Sequence, residues 1–465
     1  MHRDLRGFLR LLEKNGEVVR VSEPLSPRFE VGAAIKYVDR ELGKAVLCEA
    51  IEGYAMPLVG NLLGSRKRVA LALGTEKDPT EEYLSRRERL AKPVVADRGP
   101  ANEIVIRDQI DILSIMPVLT HHEGDAGPYL TSAVTVARVP ETGERGLGIH
   151  RVQVKGKDRI GLLLASPPLS LFFQKAERLN RPLEIATCVG VDPLTFLASV
   201  LPAPGGLDKF EVAGALAGEP IQLVKCQSVD LEVPATAEFV LEGRVTPGSR
   251  ETEGPFGEST GYYLTFENPV AQVIAATHRS SPIYHALMPF TSEDQVLLEI
   301  SWEAEMLRAL QRVFPAAQRL HLRQVGLTTV VQIKKTAEGD GMECIRQVLA
   351  VHPHTKTVIV VDEDVNPYSL EEVTWALATR FQPDRDILVV PEGTGIGIDP
   401  SSRTGNANAK MGLDLTKPYA ERDRFSRVDV PQEAREKAEA LVQALLRVKD
   451  PGSPQAQRRR KPMAR

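Results

Sequence analysis

Apolar residues recur at helical spacing at the start of the chain, at Leu5, Phe8, Leu9 and Leu12, behind Asp4 as a candidate N-cap and ahead of Gly16 as a stop. This spacing predicts a short amphipathic helix, followed by a strand in EVVRV (17–21). Residues 30–41 repeat the helical period, AVLCEA (45–50) and PLVG (57–60) have the apolar character of strands, and 79–92 is helical and charged. The pattern predicts an α+β domain over 1–103, closed by the polar, proline-bearing linker KPVVADRGPANE (92–103).

Between 104 and 295 the period changes. Short alternating or β-branched runs, among them SAVTVARV (132–139), HRVQVKG (150–156) and PIQLVKC (220–226), are cut by glycine and proline turns, which predicts an antiparallel barrel or sandwich. Within it, LSLFFQKAERL (169–179) has the spacing of a helix. Over 296–428, helical stretches such as LLEISWEAEMLRALQRV alternate with VVQIKK, TVIVVDEDV and DILVVP. Near-continuous Val/Ile runs between helices are what strands covered on both faces look like, so an α/β domain is expected. The last segment, 429–465, holds an amphipathic helix behind Asp429, with Ala434, Ala438, Leu441 and Leu445 on one stripe, and a basic tail, RRRK at 458–461 with Arg465.

Composition narrows the class rather than the fold. A hydrophobic fraction of 42% and a charged fraction of 26% are those of an ordinary globular protein, and a net charge of −4 gives no general footprint for nucleic acid. No run approaches the roughly 18 apolar residues of a membrane helix, and MHRDLRGFL lacks the apolar core of a signal peptide. Cys48, Cys188, Cys226 and Cys344 are widely separated with no CxxC, so buried free thiols in a reducing cytoplasm are expected.

Candidate chemistry gathers in EGPFGESTGYY (253–263), where Glu253 and Glu258 bracket Gly254-Pro255-Phe256-Gly257. Pro255 restricts its own φ and the glycines permit tight geometry, so a bend here can hold both acids near one point. Close carboxylates do not easily ionise together, and a guanidinium beside them would settle which keeps its proton. That is an arrangement for proton transfer.

VKCQSVDLEVPATAEFVLEGRVTPG (224–248), Gly261-Tyr262-Tyr263, GIHRVQVKGKDRIGL (148–162), LPAPGGLDKFEVAGALAGEP (201–220), VIVVDEDVNP (358–367), WALATR ending at Arg380 and KMGLDLTKP (410–418) occur in one order along the chain. Together they resemble the UbiD family of reversible decarboxylases, over nearly the whole length. The resemblance implies an α+β chain whose central domain is a split β-barrel similar to flavin reductases. It also implies prenylated FMN as cofactor, with Arg151, Glu253 and Glu258 as a Glu-Arg-Glu network. In that reading Glu253 holds Arg151, and Glu258, its pKa raised by its surroundings, carries the proton. The reaction implied is non-oxidative, reversible loss of CO2 from an aromatic or α,β-unsaturated acid. A flavin prenyltransferase would supply the cofactor, and a homo-oligomer or a homologous partner subunit is expected.

One departure from the family pattern stands out. Relatives bind a divalent ion, usually manganese, through an Asn, a His and a Glu, and counting places Gly146, a residue near Pro168, and Lys209 at those positions. None is a suitable donor for a hard cation bridging a phosphate, so no family-type manganese or potassium site is expected. Lys209 can instead place an ammonium where the ion would sit. The alternative is a non-catalytic partner of an active homologue. Gly146, Ile149, Pro168, Ser199, Lys209 and Lys410 are the candidate cofactor contacts, with Lys410 closing over the site.

Three further motifs compete. HHEGD (121–125) resembles a metal cluster, but adjacent histidines in a strand point to opposite faces, and a turn before a strand fits better. GESTG (257–261) matches a GxSxG nucleophile elbow around Ser259, the mark of a serine hydrolase. That elbow needs a strand before it and a helix after, whereas Pro255 precedes and the alternating YYLTF follows. EGTGIGIDP (392–400) lacks the third glycine spacing of a dinucleotide loop and reads as a connection.

Overall fold

The computed structural model describes residues 4–164, 166–202 and 206–449; the basic tail lies outside them. The described residues up to Thr416 form one compact unit, and those from Lys417 a second.

The first helix is Leu5–Lys14, with Asp4 accepting from Gly7 N at 2.8 Å and the Leu5, Phe8, Leu9, Leu12 stripe buried. Strands Val18–Val21, Ala45–Cys48 and Leu58–Gly60 join Tyr284–Ala286 in a four-stranded sheet. Helix Glu30–Leu42 stops at Gly43, whose φ of 61° suits a residue without Cβ. The charged helix is shorter than its pattern, Pro79–Arg87, and a Ser65-capped helix, Arg66–Leu73, precedes it unpredicted. Its apolar residues form one unbroken run, which carries no helical period.

The linker is another departure. Val94–Ala96 pairs in parallel with Gln222–Lys225, itself paired with Glu232–Pro234. Two valines suffice once a strand edge is there to take them.

A long antiparallel hairpin, Phe239–Gly257 against Tyr263–His278, forms the middle of a nine-stranded sheet. Leu183–Val189, Val134–Arg138 and Arg145–Ile149 extend it on one side, Arg159–Leu162, Val152–Val154 and Tyr129–Leu130 on the other, and the ninth strand, Ile104–Ile106, pairs with the end of Tyr263–His278. Among the described residues the pairing path is open at both ends. Helix Leu169–Arg178 falls where its spacing predicts. Helices Pro193–Ser199 and Lys209–Ala217, capped by Asp192 and Asp208, occupy a stretch whose pattern is otherwise strand-like.

Helix Ser292–Val313 leads into a five-stranded sheet of Ala317–Arg323, Thr328–Ile333, Thr357–Asp362, Ala407–Asp414 and Ile387–Thr394, parallel through its middle three strands. Glu303, fully buried, ties this part to the N-terminal helices. It accepts from Arg66 at 2.8 Å, Thr80 at 3.0 Å, the His321 ring at 2.8 Å and Leu322 N at 3.1 Å. Although Glu299, Glu303 and His321 bring ligand atoms within 4.8 Å of one another, the Glu303 oxygens are already committed to these donors.

In the second unit, helix Gln432–Lys449 leaves Leu441 and Leu445 exposed. The four cysteines are free, Cys48, Cys188 and Cys344 buried and Cys226 half-buried. No helix among the described residues is long and apolar enough to cross a membrane.

Removing a buried carboxylate with charged partners leaves those partners unpaired, which costs about 3 kcal/mol or more. Glu303→Ala is expected to lower the thermal midpoint by several degrees; an unchanged midpoint would count against the hub.

Candidate active site

The expected bend at 254–257 is not a loop: it lies inside the strand Phe239–Gly257. In the hairpin register Glu253 faces Phe266 and Phe256 faces Leu264, so three steps on one strand match two on the other. This is a β-bulge with one extra residue. It decides the chemistry. Glu253 and Glu258 are an odd number of positions apart and would point to opposite faces of a regular strand. The extra residue shifts the parity and brings Glu253, Phe256 and Glu258 to one face.

Gly254 makes the bulge possible. Its φ is 109°, and a Cβ there would lie 2.6 Å from the carbonyl oxygen of Leu264.

Arg151 meets this face from the connection between strands Arg145–Ile149 and Val152–Val154. Its guanidinium donates to both oxygens of Glu253, Nε to Oε1 at 3.0 Å and Nη2 to Oε2 at 2.6 Å, and Nη1 donates to Glu258. Asn268 donates to Glu253 Oε2 at 3.0 Å. The Phe256 ring lies 4.8 Å from the Arg151 guanidinium carbon and packs on Tyr129. The Glu253 side chain is 0% exposed, and those of Arg151 and Glu258 are 6% and 10% exposed.

Arg151 and Glu258 line a cavity with Ile149, Leu163, Val200, Leu287, Leu297 and Leu298 as its apolar wall. Asp294, unmarked by any motif, is a second acid on this wall beside Glu258. It accepts from Ser259 Oγ at 3.0 Å and Phe290 N at 2.9 Å, and burial pushes its carboxyl up to about 6. The GESTG serine is thus a donor to a carboxylate in a strand-to-strand turn.

HHEGD forms a brace: Asp125 accepts from His121 N, His122 N and Gly257 N. The glycine-rich connection also reaches the site, where the Ile398 carbonyl accepts from Thr260 Oγ1 at 3.0 Å.

Of the candidate cofactor contacts, Ile149 lines the cavity. Gly146 lies under the helix Leu169–Arg178, where an added Cβ would meet Phe172 at 2.6 Å and Pro168 at 2.7 Å. Ser199 spends its hydroxyl on the Phe196 carbonyl, and its own carbonyl accepts from Lys209 Nζ at 2.8 Å. Lys410 is elsewhere: its ammonium donates to the carbonyls of Pro353, Thr355 and Thr394, within the C-terminal sheet region.

The sequence matches three domains of one family, the 3-octaprenyl-4-hydroxybenzoate carboxy-lyase N-terminal domain over residues 9–87, the Rift-related domain over 92–291 and the C-terminal domain over 295–415. The anhydromevalonate phosphate decarboxylase of Methanothermobacter thermautotrophicus is 35% identical over 429 residues, 91% of this chain and 99% of that protein. Among solved structures, the UbiD-class enzyme HmfF from Pelotomaculum thermopropionicum, in complex with FMN, has a TM-score of 0.88 and 41% identity over 92% of this chain and 97% of its own. Vanillic acid decarboxylase from Sedimentibacter hydroxybenzoicus, in its open form, has a TM-score of 0.86 and 32% identity over 96% of this chain and 99% of its own. Fold and relatives alike are those of a carboxy-lyase. The chain belongs to the UbiD family of decarboxylases.

The donors around Gly146, Pro168 and Lys209 do not fit the family's metal: a hydrogen, a ring carbon skeleton and an ammonium offer no ligand to a hard cation. Lys209 is 3% exposed and has no carboxylate within ion-pair reach among the described residues, and burial pushes its ammonium down to about 7.

Two outcomes follow. Gly254→Ala should cost about 1–3 kcal/mol through backbone strain and lower the thermal midpoint, since the clash is with main chain; a wild-type midpoint would refute the bulge argument. Because the Asp294 carboxyl is raised in the folded protein, folding takes up a proton between about pH 4 and 6. Stability falls as pH rises through that window, by about 3 kcal/mol, and levels off above it. Asp294→Asn should therefore unfold at a higher temperature than wild type at pH 8 and lose that advantage by pH 4.

Proposed function

We propose that this chain catalyses the reversible, non-oxidative decarboxylation of an aromatic or α,β-unsaturated carboxylic acid with prenylated FMN. The observation that carries the reading is the buried Arg151 guanidinium held between Glu253 and Glu258 on the cavity wall. The FMN complex of HmfF and the prenylated-FMN complex of an evolved dimeric form of that enzyme support the cofactor. When bound, prenylated FMN supplies an electron sink for the carbon that loses CO2.

Glu253, pinned by Arg151 and Asn268, fixes the guanidinium in one orientation. Glu258 holds the mobile proton. As the C–C bond breaks, CO2 departs without the bonding electron pair, and Glu258 delivers a proton to the carbon that carried the carboxylate; in carboxylation it removes one. The wall of Ile149, Leu163, Leu297 and Leu298 limits water around the reacting carbon.

In this reading residues 104–295 curl as a split β-barrel carrying the site, 1–103 and 296–428 flank it, and a flavin prenyltransferase provides the cofactor. The dimeric HmfF form supports assembly of this chain with copies of itself. Loss of the metal donors favours a second reading, a non-catalytic partner of an active homologue.

Protein co-expressed with a flavin prenyltransferase should be coloured and should release CO2 from members of a panel of aromatic and α,β-unsaturated acids. Glu258→Gln should cut turnover at least about 100-fold while keeping flavin content and thermal midpoint. Turnover at the wild-type rate in that variant would overturn the assignment, and a colourless wild-type protein would favour the partner reading.

A further inference from the structure

Lys209 opens helix Lys209–Ala217, and its side chain turns inward. The one acceptor its ammonium has among the described residues is the Ser199 carbonyl, at the last residue of helix Pro193–Ser199. The nearby acids are spent elsewhere. Asp208 caps Phe210 N and takes the Arg145 guanidinium, and Glu232 takes Arg138 and Arg145. His150 offers no charge of either sign: burial, helped by Lys209, pushes its ring down to about 4. Its Nδ1 faces the Leu163 carbonyl and carries the proton, which leaves Nε2 as an acceptor.

His150 and Val200, which follows Ser199, both line the cavity that holds Arg151 and Glu258. The buried Lys209 nitrogen is close enough to His150, a residue of that cavity's wall, for its charge to act on the ring. At Gly146, Phe172 and Pro168 fill the space that a side chain would need.

We propose that Lys209 binds the phosphate of the flavin directly, with no divalent cation between them, so that this chain loads its cofactor independently of metal. The inference rests on the flavin reading above and assigns the groups that hold the phosphate end. An ammonium and a phosphate dianion form charge-assisted hydrogen bonds without requiring the octahedral oxygen set that a bridging ion needs. A phosphate dianion beside Lys209 would supply the counter-charge that no carboxylate among the described residues provides, and would favour the protonated amine.

The test uses full-length protein purified without a prenyltransferase, treated with EDTA, and titrated with FMN and with riboflavin, which lacks the phosphate. Flavin fluorescence is the readout. FMN should bind at least about tenfold more tightly than riboflavin, and added Mn2+ should leave its Kd unchanged. Lys209→Met should abolish the preference for FMN, while Lys209→Arg should keep most of it. Equal affinity for the two flavins, a preference that survives in Lys209→Met, or FMN binding that appears only with Mn2+ would each overturn the proposal while leaving the decarboxylase reading intact. Binding of neither flavin would overturn both. If Lys209→Met does not fold, the wild-type comparison of FMN with riboflavin, with and without Mn2+, still decides.

Discussion

One guanidinium enclosed with two carboxylates is the constraint on which this molecule is built. Charges taken out of water are tolerated only where each has partners of good geometry. Glu253 meets that condition completely, its two oxygens accepting from Arg151 on two nitrogens and from Asn268. Glu258 meets it partly, with Arg151 and its neighbour Ser259 N as donors, and it lines the cavity. The asymmetry separates two roles that sequence alone cannot separate: one acid is locked, the other faces the space where a substrate can enter.

Much of the surrounding structure keeps the bulged strand end in place. Asp125 anchors Gly257 N, Tyr263 accepts from Gly124 N, Ser259 is tied to Asp294 on the long helix, and Thr260 is tied to Ile398. These contacts come from segments far apart in the chain. The hairpin tip is therefore positioned by several elements. The open and closed forms solved for vanillic acid decarboxylase belong to that enzyme, and they show that a relative of this architecture has two states.

The segments around Gly146 and Lys209 have a different logic. Gly146 leaves room for the helix Leu169–Arg178, whose Phe172 and neighbouring Pro168 occupy the space that a side chain would take, and Lys209 is buried with the Ser199 carbonyl as its acceptor. A bound anion that answered the Lys209 charge would stabilise the folded chain.

The chain by itself determined what local chemistry can determine. Asp4 caps the first helix because its side chain reaches a free backbone N–H within a few residues, and the Val/Ile runs of the C-terminal part became strands between helices; the helices capped by Ser65, Asp192 and Asp208 carry no local period that marks them. The family blocks pointed to Arg151, Glu253 and Glu258, and the fold brings those three side chains together. Three things needed the folded chain. Val94–Ala96 became a strand because a partner edge was available. Asp294 entered the cavity because the long helix starts beside the hairpin tip, and no local pattern marks such a meeting. The two glutamates came to share a face because the opposing strand set a register with one residue to spare. Register is a property of two strands, so it is absent from either one read alone.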